Sequence, residues 1–209
     1  MKRIAIIGGG GHSKVLISII LKLDEFDIIG YIDQNDNGEL LGIPYLGNDD
    51  NFINNYNNKI KFVVLGVGQL ETSESRRILV KKYKESNFMF LTLVSTTAII
   101  NRNVKIGIGT VVMDGVIINV DSKIGEYSII NTNSTIEHDC NIGNYVHVAP
   151  GVTMSGSVNI NDNCLIGTGS NIIQGINITS DVILGAGSTV YKDLVLSGIY
   201  VGNPPEKVK

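Results

Sequence analysis

The sequence predicts a small α/β domain with a short parallel sheet, followed by an all-β domain built as a parallel β-helix. Two observations lead to this prediction. The first is a strand, glycine-rich turn, helix and strand at the start of the chain. The second is a period of six, in which every sixth residue from Ile100 to Val190 is aliphatic or Met. These sixteen positions are Ile100, Ile106, Val112, Ile118, Ile124, Ile130, Ile136, Ile142, Val148, Met154, Ile160, Ile166, Ile172, Ile178, Leu184 and Val190.

A period of six suits neither an α-helix, which needs apolar residues every 3.6 positions, nor a lone amphipathic strand, which needs them every two. It suits short strands that stack coil upon coil, so that like side chains form ladders in the interior. A second column, four residues after each aliphatic, is small or β-branched and should also point inward. Glycines that directly follow the aliphatic are expected at corners that need positive φ. They are Gly107, Gly125, Gly143, Gly167 and Gly185.

The first element is a predicted buried strand over Lys2–Ile7, followed by the glycines Gly8–Gly11. A helix from Ser13, its expected N-cap, to Leu23 comes next, because its apolar residues recur at helical spacing. Phe26–Ile32 is a second strand and ends at Asp33. This order has the outline of a Rossmann-like, nucleotide-binding βαβ unit, in which glycines let the backbone approach phosphate at a helix N-terminus.

The glycine pattern is incomplete for a dinucleotide, because Gly8 and Gly10 are present but Ser13 stands at the third glycine position. A domain of residues 1–94 is also only about half the size of a dinucleotide-binding fold. A mononucleotide or nucleotide-sugar therefore fits better than NAD. A glycine-rich turn needed only for packing is the alternative. Loops at the carboxyl ends of strands line the ligand crevice of such sheets. His12, Asp33 and Gly66–Gly68 lie in such loops and are therefore predicted to line the crevice.

The remaining predicted elements complete this domain and end the repeat. They are a short helix at Phe52–Asn58, a strand at Lys61–Leu65, a helix capped by Thr72 or Ser73 and ending near Ser86, and a strand at Phe88–Leu93. The β-helix domain is then expected over residues 95–209. Its tail, Gly202-Asn203-Pro204-Pro205, should end the repeat, since two prolines cannot continue a hydrogen-bonded ladder.

Composition excludes several classes of function. The net charge of −3 gives no basic face for nucleic acid. Cys140 and Cys164 both fall in the small inward column, so they are expected to be buried packing residues, with neither a disulfide framework nor a metal site. The apolar run Ile4–Ile7 is too short for a signal peptide, and no run approaches a membrane span. We expect a cytoplasmic protein with no membrane partner.

Two of the three histidines lie inside the six-residue repeat. His138 comes two places after Ile136, and His147 comes one place before Val148. Neither position belongs to an inward column, so both side chains should point outward, toward a surface or a subunit interface. Histidine suits proton transfer near neutral pH. An acidic residue, Asp139, adjoins His138, which makes His138 the candidate general base.

The glycine-rich βαβ unit, the hexapeptide repeat with Asn131-Thr132 and Glu137-His138-Asp139-Cys140 in its middle, and the Gly-Asn-Pro-Pro ending together resemble one family along almost the whole chain. This family is the left-handed β-helix sugar acyltransferases of bacteria, typified by UDP-N-acetylbacillosamine N-acetyltransferase. The resemblance implies a homotrimer with active sites between adjacent β-helices. It also implies transfer of acetyl from acetyl-CoA to the 4-amino group of a nucleotide-linked 4-amino-4,6-dideoxy sugar of the UDP type, for bacterial glycan synthesis.

The same resemblance implies roles for individual residues. His138 corresponds to the general base of a direct attack, and Asp139 stands where the family has a glutamate that raises the basicity of the base. The positions that match acetyl-CoA contacts are His147, Gly156, Thr168 and Ala186. The positions that match nucleotide-sugar contacts are Gly10, Gly11, His12, Asp33, Gln34, Gly66 and Gly68. No metal is implied.

Two other functions remain open at this point. One is O-acetylation of a sialic acid or of another surface-glycan sugar, since sialic acid O-acetyltransferases are near relatives of the family. The other is a non-enzymatic scaffold for an enzyme of a sugar pathway, which would require His138 to be dispensable.

Overall fold

The computed structural model describes residues 1–71 and 73–209, and the predicted helix cap at Thr72 lies outside them. The chain packs as two compact units. The N-terminal unit comprises Met1–Gly68 and Glu74–Leu91, and the β-helix unit comprises Gln69–Ser73 and Thr92–Lys209. Within the described residues, no helix has both the length and the apolar character that crossing a bilayer requires.

The N-terminal unit is a parallel sheet with connecting helices. Its elements are β1 (Lys2–Ile7), α1 (Gly11–Ile20), β2 (Phe26–Ile32), α2 (Asp49–Tyr56), β3 (Phe62–Leu65), α3 (Glu74–Glu85) and β4 (Met89–Phe90). The strand order is β2-β1-β3-β4, and all pairs are parallel. The chain leaves β1 for β2 on one side and later passes to β3 on the other. The sheet therefore has its topological switch point between β1 and β3, where ligands bind in sheets of this kind.

The prediction for α1 was wrong at both ends. The helix begins at Gly11 with Gly10 as its N-cap, and the buried Ser13 lies in the first turn. Ser13 does not cap the helix because its Oγ bonds instead to the carbonyl oxygens of Gly8, at 2.6 Å, and Gly66, at 3.0 Å. The helix stops at Ile20, and the next residues tighten into i to i+3 hydrogen bonds from Lys22 N to Ile19 O and from Leu23 N to Ile20 O.

Two other elements differ from their predicted bounds. The second helix starts earlier, at Asp49, because the Asn48 side chain accepts a hydrogen bond from Asn51 N and caps it. The strand predicted at Phe88–Leu93 is divided. Met89–Phe90 pairs with β3, whereas Leu93 and Val94 pair with Val111 and Val112 in the β-helix.

The β-helix unit has three faces, and each coil takes 18 residues, so that Ile130 pairs with Val148 and Val148 with Ile166. The first face contains Leu93–Val94, Val111–Val112, Ile129–Ile130, His147–Val148, Leu165–Ile166, Val182–Leu184, Gly198–Val201 and, antiparallel at its end, Glu206–Lys207. The second contains Ile99–Ile100, Ile117–Ile118, Thr135–Ile136, Thr153–Met154, Asn171–Ile172 and Thr189–Val190. The third contains Lys105–Ile106, Lys123–Ile124, Asn141–Ile142, Asn159–Ile160 and Asn177–Ile178.

Both predicted inward columns are confirmed. The aliphatic column is buried from Val112 to Val190, and only its first members, Ile100 and Ile106, at the open end of the helix, keep exposed surface. The second column is buried from Thr110 onward and includes Cys140 and Cys164. Beyond the last predicted aliphatic, Gly198–Val201 adds one more rung to the first face. The tail then turns at residues 202–205 and pairs back on that rung, so the repeat ends there.

The prediction that the glycines after the aliphatic column lie at corners with positive φ was wrong. Gly107, Gly125, Gly143 and Gly167 do not have positive φ. They are needed because an added Cβ would lie 2.5–2.6 Å from atoms of the next coil. Positive φ occurs two residues later, at the third position after each aliphatic. The residues there are Asn103, Gly109, Gly115, Asp121, Tyr127, Asn133, Asp139, Tyr145, Gly151, Ser157, Asn163, Gly169, Gly175, Asp181 and Gly187.

Candidate functional site

His138 and Asp139 form a hydrogen-bonded pair at a corner of the β-helix. The corner runs from the second face to the third, and we call it the second corner. His138 Nδ1 lies 2.8 Å from Asp139 Oδ2, and both side chains are more than half exposed. Because a carboxylate only accepts, Nδ1 carries a proton, and in the neutral imidazole the lone pair is then on Nε2. The pair is therefore exposed to solvent, as the outward register of His138 predicted.

Gly156 lies one coil further along the second corner, and the imidazole of His138 rests on it. A Cβ added to Gly156 would stand 2.5 Å from His138 Cε1 and 2.6 Å from Nε2. Backbone strain is not the reason for this glycine, since its φ is not positive. Gly156 therefore provides the space that the ring of His138 occupies. It is one of the predicted acetyl-CoA contacts, and the structure brings it together with the candidate base.

His147 lies on the first face, and both of its ring nitrogens have protein partners. Nδ1 is 2.8 Å from Gln69 O, and Nε2 is 3.1 Å from Asn131 Nδ2. The Asn131 amide is oriented by Thr132, whose backbone N–H donates to Asn131 Oδ1 at 2.8 Å. Nδ1 must donate to the carbonyl and Nε2 must accept from the amide, so His147 is held as the neutral Nδ1–H tautomer. A contact with acetyl-CoA would then use its ring carbons.

Thr168 and Ala186 follow the first face, at the corner that leads to the second face, which we call the first corner. They occupy equivalent places one coil apart, as the hydrogen bond from Gly187 N to Thr168 O at 2.8 Å shows. Asn131, the partner of His147, enters the same corner two coils earlier. The predicted acyl-transfer residues of one chain therefore divide between two corners. His138, Asp139 and Gly156 are at the second, and Thr168 and Ala186 are at the first.

Neither cysteine is available as a nucleophile. Both thiols are buried, and burial raises the pKa of Cys140 and raises the pKa of Cys164 to about 12. A thiol with a raised pKa stays protonated at neutral pH and is not a nucleophile. Within the described residues, no group of three or more His, Cys, Asp or Glu side chains could hold a metal ion.

In the N-terminal unit, two glycine-rich loops meet at the switch point of the sheet. Gly8–Gly11 follows β1, Gly66–Gly68 follows β3, and Ser13 bonds to both loops through the carbonyls of Gly8 and Gly66. A Cβ on Gly66 would lie 2.2 Å from Ser13 Oγ, so this glycine is required by that contact. Gly68 is different, because its added Cβ would make an ordinary 3.6 Å contact with His12 Cβ.

The four consecutive glycines divide into two pairs. Gly8 has a φ of +108°, which favours glycine, and a Cβ on Gly9 would lie 2.8 Å from the Tyr31 ring, so backbone conformation explains the first and packing the second. Around Gly10 and Gly11 an added Cβ would meet no atom within 4 Å. Packing therefore does not account for these two. They stand at the N-terminus of α1, where backbone N–H groups and the helix dipole favour an anion.

The acidic and amide residues predicted for this crevice also have structural partners. Asp33 Oδ2 accepts a hydrogen bond from Gly9 N at 2.6 Å, which ties the glycine turn to the end of β2. Gln34 Nε2 donates to Asp49 Oδ2 at 2.9 Å, and Tyr83 donates to the other Asp49 oxygen at 2.7 Å. Burial and the Asp49 carboxylate raise the pKa of Tyr83, so that hydroxyl remains a donor.

Several residues of these sites were not found from the sequence alone. Gln69 and Asn131 hold His147, Ser13 joins the glycine loops, and Asp49 anchors Gln34. Asn131 belonged to a recognised motif but had no assigned role. The 18-residue coil was the available signal for the contact between Gly156 and His138, since it places these two residues one coil apart. No sequence pattern marks the contact between Gln69 and His147.

Two family models match the chain. The model described as the PglD N-terminal domain matches residues 3–82, and the bacterial transferase hexapeptide (six repeats) model matches residues 121–156. No curated protein sequence gives a significant match.

Solved structures match over the full length. Perosamine N-acetyltransferase PerB from Caulobacter crescentus, solved with CoA and GDP-perosamine, is 31% identical, with a TM-score of 0.91 and coverage of 99% of this chain and 97% of that one. The acetyltransferase domain of PglB from Neisseria gonorrhoeae, solved with acetyl coenzyme A, is 27% identical, with a TM-score of 0.91 and 99% coverage of both chains. WeeI from Acinetobacter baumannii is 28% identical, with a TM-score of 0.88 and 99% coverage of both.

The coils of hexapeptide repeats, the two matching family models and the full-length structural matches place the chain among the acyltransferases of the left-handed β-helix class. The chain belongs to the hexapeptide-repeat sugar acetyltransferases and is an acetyl-CoA-dependent enzyme of that family.

Proposed function

We propose that this enzyme transfers the acetyl group of acetyl-CoA to the 4-amino group of a nucleotide-linked 4-amino-4,6-dideoxy sugar, in the synthesis of a bacterial glycan. The observation that carries the proposal is the His138–Asp139 pair, with the imidazole resting on Gly156 and Nε2 left to accept a proton. The structure of the Caulobacter enzyme with CoA and GDP-perosamine supports an amino-sugar as the acceptor.

The proposed reaction is a direct attack of the amine on the thioester. The amine nitrogen forms a bond to the acetyl carbon, His138 Nε2 takes the proton from that nitrogen, and the carbon–sulfur bond breaks to release CoA thiolate. The imidazolium can return its proton to the departing sulfur. Asp139 keeps Nδ1 protonated and stabilises the imidazolium that forms. An acyl-enzyme is not needed, which agrees with the raised pKa values of both buried thiols.

The nucleotide is proposed to bind at the switch point of the N-terminal sheet. Gly10 and Gly11 would approach its phosphates at the start of α1, with His12 and Gly68 beside them. Asp33 and Gln34 are proposed to contribute while remaining bonded to Gly9 and Asp49. UDP is the proposed nucleotide, as in the family type, and GDP is the principal competitor because of the Caulobacter complex.

A homotrimer is the proposed assembly, with an active site between each pair of adjacent β-helices. The division of predicted residues supports it. The base lies at the second corner, and Thr168 and Ala186 lie at the first corner of the same chain. The second corner of one subunit facing the first corner of its neighbour would complete one site, and threefold symmetry would repeat it three times.

Acetyl transfer to a panel of sugars tests the proposed function. Release of free CoA thiol should be measured with UDP-, GDP- and dTDP-linked 4-amino sugars, and with the 4-hydroxy counterpart of each as the matched control. We expect turnover with an amino-sugar and none with its hydroxyl counterpart. Turnover with hydroxyl sugars or sialic acid would instead make the enzyme an O-acetyltransferase, and no turnover with any acceptor would favour the scaffold function.

Replacing Gly11 by Val is expected to raise the KM for the nucleotide-sugar by about tenfold or more, since one lost phosphate contact is worth about 1.5–3 kcal/mol. The open space around Gly11 lets the larger side chain fit without disturbing the fold. Gly11→Ala, with a smaller side chain, should have a smaller effect. The KM for acetyl-CoA should stay unchanged in both variants. A change in the acetyl-CoA constant alone would mean that the two substrates were assigned to the wrong units.

A further inference from the structure

A buried hydroxyl in the preceding coil bonds to both ends of the corner that carries His138. Ser122 is fully buried in the second inward column. Its Oγ donates to the carbonyl oxygen of Glu137 at 2.8 Å and accepts from the backbone N–H of Cys140 at 3.1 Å. The two bonds enclose His138 and Asp139, the residues between them. A single buried side chain therefore bonds to both ends of this corner from the inside.

The geometry of the base depends on the backbone that these bonds fix. The imidazole must occupy the space beside Gly156 while Nδ1 reaches Asp139 at 2.8 Å. Asp139 itself has a φ of +59°, the left-handed conformation that recurs at the third position after the aliphatic residues of the repeat. A rotation of the peptide at either end of the corner would move the ring relative to both neighbours.

We propose that Ser122 is a positioning residue for His138, acting through the Glu137 carbonyl and the Cys140 amide. Ser122 is not a catalytic residue, because it lies in the interior and touches no reacting atom. The inference rests on the proposed role of His138 as the base. A displacement of a reacting group by about 1 Å can reduce a rate by about 10²-fold, so a loosened corner should reduce turnover without reducing substrate affinity.

The same bridge occurs at a corner with no predicted site residue, which supplies a matched control. Thr110 Oγ1 donates to Gly125 O at 2.6 Å and accepts from Ser128 N at 3.0 Å, at the corner between the third and first faces. Thr110 also shows that this column accepts threonine with both bonds intact. Cys140 and Cys164 show that the column accepts a thiol, which is a weaker hydrogen-bonding group.

The decisive measurement is the NMR signal of the His138 ring, because it needs no sugar substrate. The three histidines should be labelled with ¹³C and ¹⁵N, and the His138 signals identified by their loss in His138→Ala. In the wild type we expect ¹⁵N shifts of the Nδ1–H tautomer. Ser122→Ala should shift or broaden these signals, and Ser122→Thr should restore them. Thr110→Ala should leave the His138 signals unchanged. This variant loses the same kind of bridge and should lose at least as much thermal stability as Ser122→Ala.

Kinetics with the accepted sugar provide the second readout. Ser122→Ala should lower kcat by about 10- to 10²-fold with both KM values within about twofold, Ser122→Thr should recover most of kcat, and Thr110→Ala should keep it. Ser122→Cys preserves the packing volume and should show the same changes to a smaller extent. It is the variant to use if Ser122→Ala does not fold. Unchanged His138 signals in Ser122→Ala or Ser122→Cys, or equal changes in Thr110→Ala, would overturn the inference. If the wild type acetylates no sugar, the proposed function fails, while the NMR comparison still decides the role of Ser122.

Discussion

Replacing Ile172 by Asp is expected to leave no folded β-helix. Ile172 is 2% exposed and stacks between Met154 and Val190 in the inward column of the second face. The substitution removes about 2–3 kcal/mol of side-chain burial and places a carboxylate among aliphatic groups, which costs several kcal/mol more even if it becomes protonated. The free energy of unfolding of natural domains is only about 5–15 kcal/mol, so the loss is comparable with the total stability of the fold.

The neighbouring residue supplies the control. Asn171 is exposed in the same two-residue strand, so Asn171→Asp introduces the same side chain on the outer side. We expect Asn171→Asp to be close to wild type in circular dichroism, thermal unfolding and gel filtration, and Ile172→Asp to be insoluble or unfolded. Similar behaviour of the two variants would contradict the assigned register, in which successive residues of each strand alternate between inside and outside.

The β-helix was predictable because one physical requirement repeats at every hexad. Each coil buries the same two columns, so errors at single positions do not obscure the period. The role of the glycines was predicted wrongly because two different requirements select the same residue. Positive φ and close approach of a neighbouring coil both select glycine, and the sequence does not distinguish them. Gly125 is required by the backbone of Gly143 one coil away, whereas the left-handed corner next to it holds Tyr127.

Tertiary contacts explain what the sequence could not predict in the site. His138 and Asp139 are adjacent, so their pairing needed only the outward register. Ser13 looked like a helix cap, but the carbonyl of Gly66, 53 residues away in sequence, attracts its hydroxyl. Gln69 meets His147 across 78 residues. Contacts of this kind depend on how distant segments pack, and no local pattern of residue types records them.

Replacing His138 by Ala is expected to lower kcat for acetyl transfer by about 10²- to 10⁴-fold, the usual contribution of a positioned general base. The base must be neutral to accept a proton, so wild-type kcat/KM should fall as the pH is lowered. The substrate amine must also be unprotonated, so the profile reports both groups. Stability should change little, because the side chain is more than half exposed.

Two further variants separate the base from its surroundings. Asp139→Asn should lose less activity than His138→Ala, since Asp139 only orients and stabilises the imidazole. Gly156→Ala retains the imidazole but displaces it, because the new Cβ would stand 2.5 Å from His138 Cε1, so kcat should fall while the fold persists. All variants should be measured at saturating amino-sugar and acetyl-CoA across a pH series, with thermal unfolding in parallel. Wild-type turnover and an unchanged pH profile in His138→Ala would show that another group removes the proton, because an enzyme that depends on the Nε2 lone pair cannot keep its rate without it.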